Sequence, residues 1–181
     1  MEAGMLTLKG SHDTGRVLTE CGGDIQSVKL LYTLLLTTPG TPLIYCGDEN
    51  GRQGANDPDC RRPMVWQQAQ WHAELREHVR QLIALRRAHV ELRRGIVHLR
   101  HADDRMVVYE RCLGDARSLV VVNNTYVPNG ISVPWMGEAD APWAGRLSGQ
   151  GFRVSGGQLE LSALAPRSTA VLRPAGARHA G

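Results

Sequence analysis

The apolar positions change their period midway along the chain. Met5 to Leu8 is a short apolar run that stops at Gly10, and a polar loop follows to Gly23. Ile25, Val28, Leu31, Leu34 and Leu35 then recur at helical spacing, with Asp24 placed to cap the first turn and Pro39-Gly40 placed to stop the last. Leu43-Ile44-Tyr45-Cys46 is continuously apolar, the pattern of a strand buried on both faces. A second polar loop, Gly47 to Pro63, leads to a helix expected from Trp71 to Arg93, whose stripe is Leu75, Val79, Leu82, Ile83 and Val90. Strand, loop, helix, given twice, is the grammar of βα units around a parallel sheet.

From Gly95 onward the period shortens. Ile96–Arg100, Met106–Cys112, Ser118–Val122, Gly130–Val133, Gln158–Leu161 and Thr169–Leu172 read as strands. Turn signals such as Asp103-Asp104, Gly114-Asp115 and Gly156-Gly157 separate them. That spacing predicts an antiparallel β-sandwich. Ala175 to Gly181 is small and polar and reads as a disordered tail.

Composition narrows the class. In 181 residues, 42% are hydrophobic and 22% charged, the balance of a folded soluble domain. A net charge of +3 gives no phosphate-binding signature. The helix after Trp71 carries six arginines, but Glu74, Glu77 and Glu91 interleave, so it reads as a solvated face and no nucleic-acid partner is expected. The longest apolar stretch, Leu30–Leu36, is far short of the roughly 20 residues that span a bilayer, so no membrane partner is expected. The start, Met1-Glu2-Ala3-Gly4-Met5, has no basic cluster ahead of an apolar run, which predicts no secretory signal. Cys21, Cys46, Cys60 and Cys112 show no C-x-x-C pair and read as thiols in a reducing cytoplasm. The seven histidines show no metal spacing, so no metal site is assigned; no cofactor is expected, and calcium is left open.

Chemistry belongs on the loops that follow the two buried strands, because ligands of parallel βα units sit at the strands' carboxyl ends. The first loop holds Gly10-Ser11-His12-Asp13-Thr14, and the second holds Asn56-Asp57-Pro58-Asp59-Cys60-Arg61-Arg62-Pro63. A carboxylate there can accept sugar hydroxyls or face developing positive charge, and an imidazole can donate to them. An arginine fork can hold a carboxylate or vicinal hydroxyls. On the residues alone, His12-Asp13 reads first as a loop-fixing pair, and Asp57 with Arg61 first as a structural ion pair.

The strings at 10–14, 21–24 (Cys-Gly-Gly-Asp), 38–49 (Thr-Pro-Gly-Thr-Pro-Leu-Ile-Tyr-Cys-Gly-Asp-Glu) and 56–64, in that order, resemble glycoside hydrolase family 13, the alpha-amylase family. The match is to its cyclomaltodextrinase, neopullulanase and maltogenic amylase branch. The resemblance implies an α/β plus all-β chain: residues 1–94 as the last two βα units of a (β/α)8 TIM barrel, 95–174 as the carboxyl-terminal antiparallel β-sandwich, and 175–181 as the tail. It implies retaining hydrolysis of α-1,4 bonds, with α-1,6 bonds left open, in maltodextrins or cyclodextrins. Asp13 then matches the catalytic carboxylate that stabilises the transition state. His12 matches a sugar contact at the reacting subsite, and Asp57 and Arg61 match the pair that holds the next glucose. Asp48 and Glu49 are expected to support the loop.

Departures carry equal weight. Retaining glycosidases need a nucleophile and an acid/base carboxylate about 5–5.5 Å apart. The family carries both upstream, and no G-x-R-x-D string occurs in this chain. A complete barrel also needs about 200 residues or more. The expectation is a fragment that does not turn over alone, joined by an upstream barrel fragment or self-associated. A non-catalytic sugar-binding or structural module is the other reading. Lys9 stands where the family has an apolar residue, Gly15 where Pro is frequent, and Cys46 where Tyr is common. Trp66 and Trp71 are expected to pack around the helix start.

Overall fold

A computed structural model describes residues 5–135, 143–145, 147 and 151–174. The chain divides into two units, residues 1–36 with 40–84 and residues 37–39 with 85–181. The tail expected at 175–181 lies outside the described residues.

In the first unit, strand β1 (Leu6–Leu8) is followed by a short helix α1 (Val17–Glu20), helix α2 (Ile25–Thr37), strand β2 (Thr41–Leu43) and helix α3 (Ala73–Ala88). β1 and β2 pair in parallel, Leu6 opposite Thr41 and Leu8 opposite Leu43. Asp24 caps α2 as expected: its carboxylate accepts the backbone N–H of Gln26 at 3.0 Å and of Ser27 at 3.3 Å. Val28, Tyr32, Leu35 and Leu36 form the buried face of α2. Gly40 then turns the chain at φ +104°, where a Cβ would stand 2.9 Å from the Met5 carbonyl oxygen. That approach lets the Thr41 N–H reach the same carbonyl at 2.8 Å and start the parallel pairing. On α3, Leu75, Val79 and Leu82 are buried at helical spacing, and Glu74 pairs with Lys29 of α2 at 2.7 Å.

Three expectations need correction. The strand placed at Leu43–Cys46 lies earlier, at Thr41–Leu43, and is not buried on both faces: Leu43 to Tyr45 are half-buried and Cys46 is exposed. Among the described residues β2 has β1 alone as a neighbour, so nothing covers its other edge. The helix expected through Arg93 breaks at His89, which is extended (φ −120°, ψ 108°), and restarts as α4 (Val90–Arg94). The break is satisfied locally, since the Arg93 guanidinium donates to the carbonyls of Arg86 and Arg87 at the end of α3. Lys9 is exposed, so its ammonium stays in water. Trp71 is half-buried, whereas Trp66 is 75% exposed and does not pack as expected.

The second unit contains α4 and eight strands: β3 (Ile96–Ala102), β4 (Met106–Leu113), β5 (Ala116–Asn123), β6 (Asn129–Pro134), β7 (Trp143–Gly145), β8 (Gly151–Ser155), β9 (Gln158–Leu164) and β10 (Ser168–Pro174). They run β3-β4-β5-β10-β7-β8-β9-β6, and every neighbouring pair is antiparallel. Six of these strands match the β-rich runs in the sequence, whereas β7 and β8 were not expected. Met106, Val108, Leu119, Val121, Leu159 and Leu172 make the core, and Trp135 and Trp143 join it edge-to-face with centroids 5.1 Å apart. Both indoles are buried, which leaves neither ring open for stacking on a sugar. The other face of β4 and β5 buries polar groups: Glu91 accepts from Ser118 at 2.6 Å and pairs with Arg173 at 3.0 Å. Arg111 donates to the carbonyls of Thr37, Leu92 and Gly95, the last at 2.7 Å.

Candidate active site

The loops after β1 and β2 meet within the first unit and bring all four expected residues together. Arg61 is the hub. Its Nη2 lies 3.1 Å from Asp13 Oδ1, and its Nε donates to Asp57 Oδ1 at 2.9 Å. His12 Nε2 lies 3.3 Å from the same Asp13 oxygen. The four side chains are between 45% and 66% exposed, so the cluster opens to solvent. Exposed pairs of this kind contribute about 0–1 kcal/mol each. A ligand's hydroxyls can therefore replace Arg61 at Asp13 without a large penalty.

Local hydrogen bonds hold the first loop. Ser11 N–H donates to Thr14 Oγ1 and Asp13 N–H to Ser11 Oγ, both at 3.1 Å. The thiol of Cys60 donates to the His12 carbonyl at 3.2 Å and ties the first loop to the second. In the second loop the Asp57–Pro58 peptide is cis and a 3-10 turn spans Asp59–Arg61. Asp59 fixes that turn by accepting the Ala55 N–H at 2.7 Å and pairing with Arg62 at 2.7 Å. The Ala55 N–H and the Arg62 guanidinium hold its carboxyl below the usual range.

Beneath the cluster lies a residue that sequence reasoning missed. Arg16 is 1% exposed. Its Nε donates to the Cys60 carbonyl and its Nη1 to the Cys46 carbonyl, each at 2.7 Å, and Nη1 also pairs with Asp48 Oδ1 at 3.1 Å. The guanidinium carbon lies 4.1 Å from the centre of the Tyr45 ring. One side chain thus joins both site loops to the end of the β2 segment. Asp48 is the loop support expected of it, and burial pushes its carboxyl up to about 6 against the opposing pull of Arg16. Glu49 supports the same turn by accepting the Gly47 N–H at 2.8 Å. No local signal marked Arg16, because its partners lie at least 29 positions away along the chain.

Among the described residues no group of three or more His, Cys, Asp or Glu is placed to hold a metal ion, and no helix is long and apolar enough to cross a membrane. The arrangement offers one solvent-open carboxylate flanked by an imidazole and a shared guanidinium. It suits binding of polyhydroxyl groups and stabilisation of positive charge beside Asp13.

The chain is similar to known proteins over most of its length. The family model for the alpha amylase catalytic domain matches residues 1–91. A cyclomaltodextrinase of Geobacillus thermopakistaniensis is 47% identical over 129 residues, covering 70% of this chain and 22% of that protein. Neopullulanase 2 of Thermoactinomyces vulgaris is 38% identical over 161 residues, covering 88% of this chain and 28% of its own length. The crystal structure of the alpha-amylase from Geobacillus thermoleovorans complexed with acarbose aligns with a TM-score of 0.85 at 26% identity, over 94% of this chain and 38% of that one. The debranching enzyme from Nostoc punctiforme aligns with a TM-score of 0.80 at 32% identity, over 94% and 35%. The chain spans about a quarter of the length of the curated relatives it matches.

Proposed function

The chain belongs to the alpha-amylase family, and from that premise we propose that it supplies part of the active site of a retaining α-glucan hydrolase. The substrates in this reading are α-1,4-linked maltodextrins or cyclodextrins, with α-1,6 bonds left open; its support is the similarity to a cyclomaltodextrinase and a neopullulanase. The observation that carries this reading is the single cluster of His12, Asp13, Asp57 and Arg61, gathered from loops 48 residues apart.

In this reading Asp13 faces the anomeric centre and stabilises the oxocarbenium-like charge that builds there, and His12 donates to a hydroxyl of the same sugar. Asp57 and Arg61 hold the neighbouring glucose. Without substrate Arg61 pairs with Asp13; sugar hydroxyls take its place when substrate arrives, and Arg61 turns its free donors to the sugar. The parallel β1–α2–β2–α3 order, with both site loops at the strands' carboxyl ends, supports assigning these elements to the last two βα units of a (β/α)8 barrel. The antiparallel strand order of the second unit supports a β-sandwich as the second domain. Leu6 and Leu8, 52% and 41% exposed on the unpartnered β1–β2 pair, support a covering segment or self-association there.

Residues 1–181 carry one of the three carboxylates that retaining hydrolysis in this family uses, so we propose that the chain by itself does not turn over. The test is to incubate the purified chain with cyclodextrin and with 4-nitrophenyl maltoside. No release above buffer is expected, and Asp13-dependent hydrolysis by the chain alone would refute the proposal. Maltooligosaccharide binding that ignores Asp13→Ala would favour the non-catalytic module instead.

A further inference from the structure

On the same loop, away from the carboxylate cluster, lies a pocket of about 380 Å³, within the size range of small-molecule sites. Its polar lining combines Asn50, Arg52 and Arg62 with Gln53, Gln70 and His72. Asn50 is 4% exposed; its Oδ1 accepts from Arg76 at 2.7 Å, which fixes the amide, and its buried Nδ2 has no hydrogen-bond partner. Arg52 donates one Nη to the Pro63 carbonyl, its Nε is buried without a partner, and no carboxylate pairs with it among the described residues. Arg62 reaches the same pocket with Asp59 behind it. No Asp or Glu lines the space. Burial and the nearby charges of Arg16 and Arg62 hold the Arg52 guanidinium below its usual range, although the Asp48 and Asp59 carboxylates also feel its charge.

Trp71, Met64 and Val65 add the apolar part of the wall. The Trp71 ring is held by its indole N–H on the Val65 carbonyl at 2.8 Å and by the Arg76 guanidinium 4.4 Å from its centre. A rigid indole beside neutral amides suits the apolar and hydroxyl faces of a sugar, and paired guanidinium donors suit an oxyanion. The volume exceeds what a bare inorganic oxyanion fills. We propose that this pocket binds a phosphorylated monosaccharide, its phosphate on Asn50, Arg52 and Arg62 and its ring against Trp71. The lining shares no residue with the Asp13 cluster and does not depend on the role assigned to it.

Isothermal titration of the full chain with glucose 6-phosphate, glucose and inorganic phosphate tests the assignment. Glucose 6-phosphate is expected to bind in one-to-one ratio, and each of the other two at least about tenfold more weakly, as loss of one charge-assisted contact implies. Arg62→Gln, at an exposed position, and Arg52→Gln are each expected to weaken glucose 6-phosphate by about tenfold or more. Arg80→Gln, at an exposed arginine paired with Glu77 and outside this lining, is the control and should leave it unchanged. Absence of binding by a chain shown to be folded by circular dichroism overturns the proposal. Equal affinity for glucose or for inorganic phosphate, or indifference to both the Arg52 and Arg62 variants, overturns it as well.

Discussion

Replacing Arg16 by Met tests whether one buried guanidinium holds the site loops together. The substitution keeps the length of the apolar stem and removes the charge. It leaves the Asp48 carboxylate, 1% exposed, without its cation, and the carbonyls of Cys46 and Cys60 without their donor. Breaking a buried pair from one side costs about 3–5 kcal/mol, because an uncompensated charge stays inside. Unfolding free energies of small domains are about 5–15 kcal/mol, so the loss is a large share of the total.

The same geometry makes the loss depend on pH. The Asp48 carboxyl is raised from 3.8 to about 6 in the folded chain. At pH 8 it is ionised and the full cost applies. At pH 5 it is protonated with Arg16 present or absent, so what remains is chiefly the two carbonyl bonds, about 0.5–1.5 kcal/mol each. Urea denaturation followed by circular dichroism at pH 8 and pH 5 measures both losses. A larger loss at pH 8, by about 2 kcal/mol, is expected. A loss under about 1 kcal/mol at pH 8, or the same loss at both values, would refute the reasoning.

Other outcomes follow from the same contacts. A folded pKa above the unfolded one gives stability that is complete below pH 3.8 and is lost as pH rises through about 6. Relative to Asp48→Asn, the native chain should therefore lose about 3 kcal/mol across that window, read as the difference between two urea-midpoint series; parallel series would contradict it. Gly95→Ala should destabilise the second unit by about 1–3 kcal/mol, because a Cβ there would stand 2.4 Å from the Glu91 carbonyl oxygen and 2.6 Å from that of Cys112; an unchanged melting midpoint would count against this packing. Leu159→Ala, at a position with no exposed surface, should cost about 2–5 kcal/mol in the same assay.

Much of this was legible along the chain where the cause is local. The Asp24 cap, the stop at Pro39-Gly40, the Leu75–Val79–Leu82 stripe and six antiparallel strands each follow from neighbours within a few residues. The four site residues were legible because they lie in two contiguous motifs, although the motifs alone did not say that Arg61 bridges both aspartates. What stayed hidden is set by distant partners. Arg16 looks like any loop arginine until Cys46, Asp48 and Cys60 surround it. The break at His89 depends on Arg93 folding back to serve the carbonyls of α3. β7 is three residues long, too short to show a period. The apolar run at Leu43–Cys46 is written for burial on both faces, and the single pairing of β2 with β1 does not provide it.

The central claim is that Asp13 serves a hydrolytic site whose nucleophile and acid/base are carried on other segments. Its most direct test is to co-express this chain with a segment bearing the first six βα units of a family barrel and to measure hydrolysis of 4-nitrophenyl maltoside. Turnover is expected from the pair and from neither part alone. Asp13→Asn is expected to lower the turnover by about 10²–10³-fold while the pair still assembles. Turnover by the assembled pair that is indifferent to Asp13→Asn would contradict the claim.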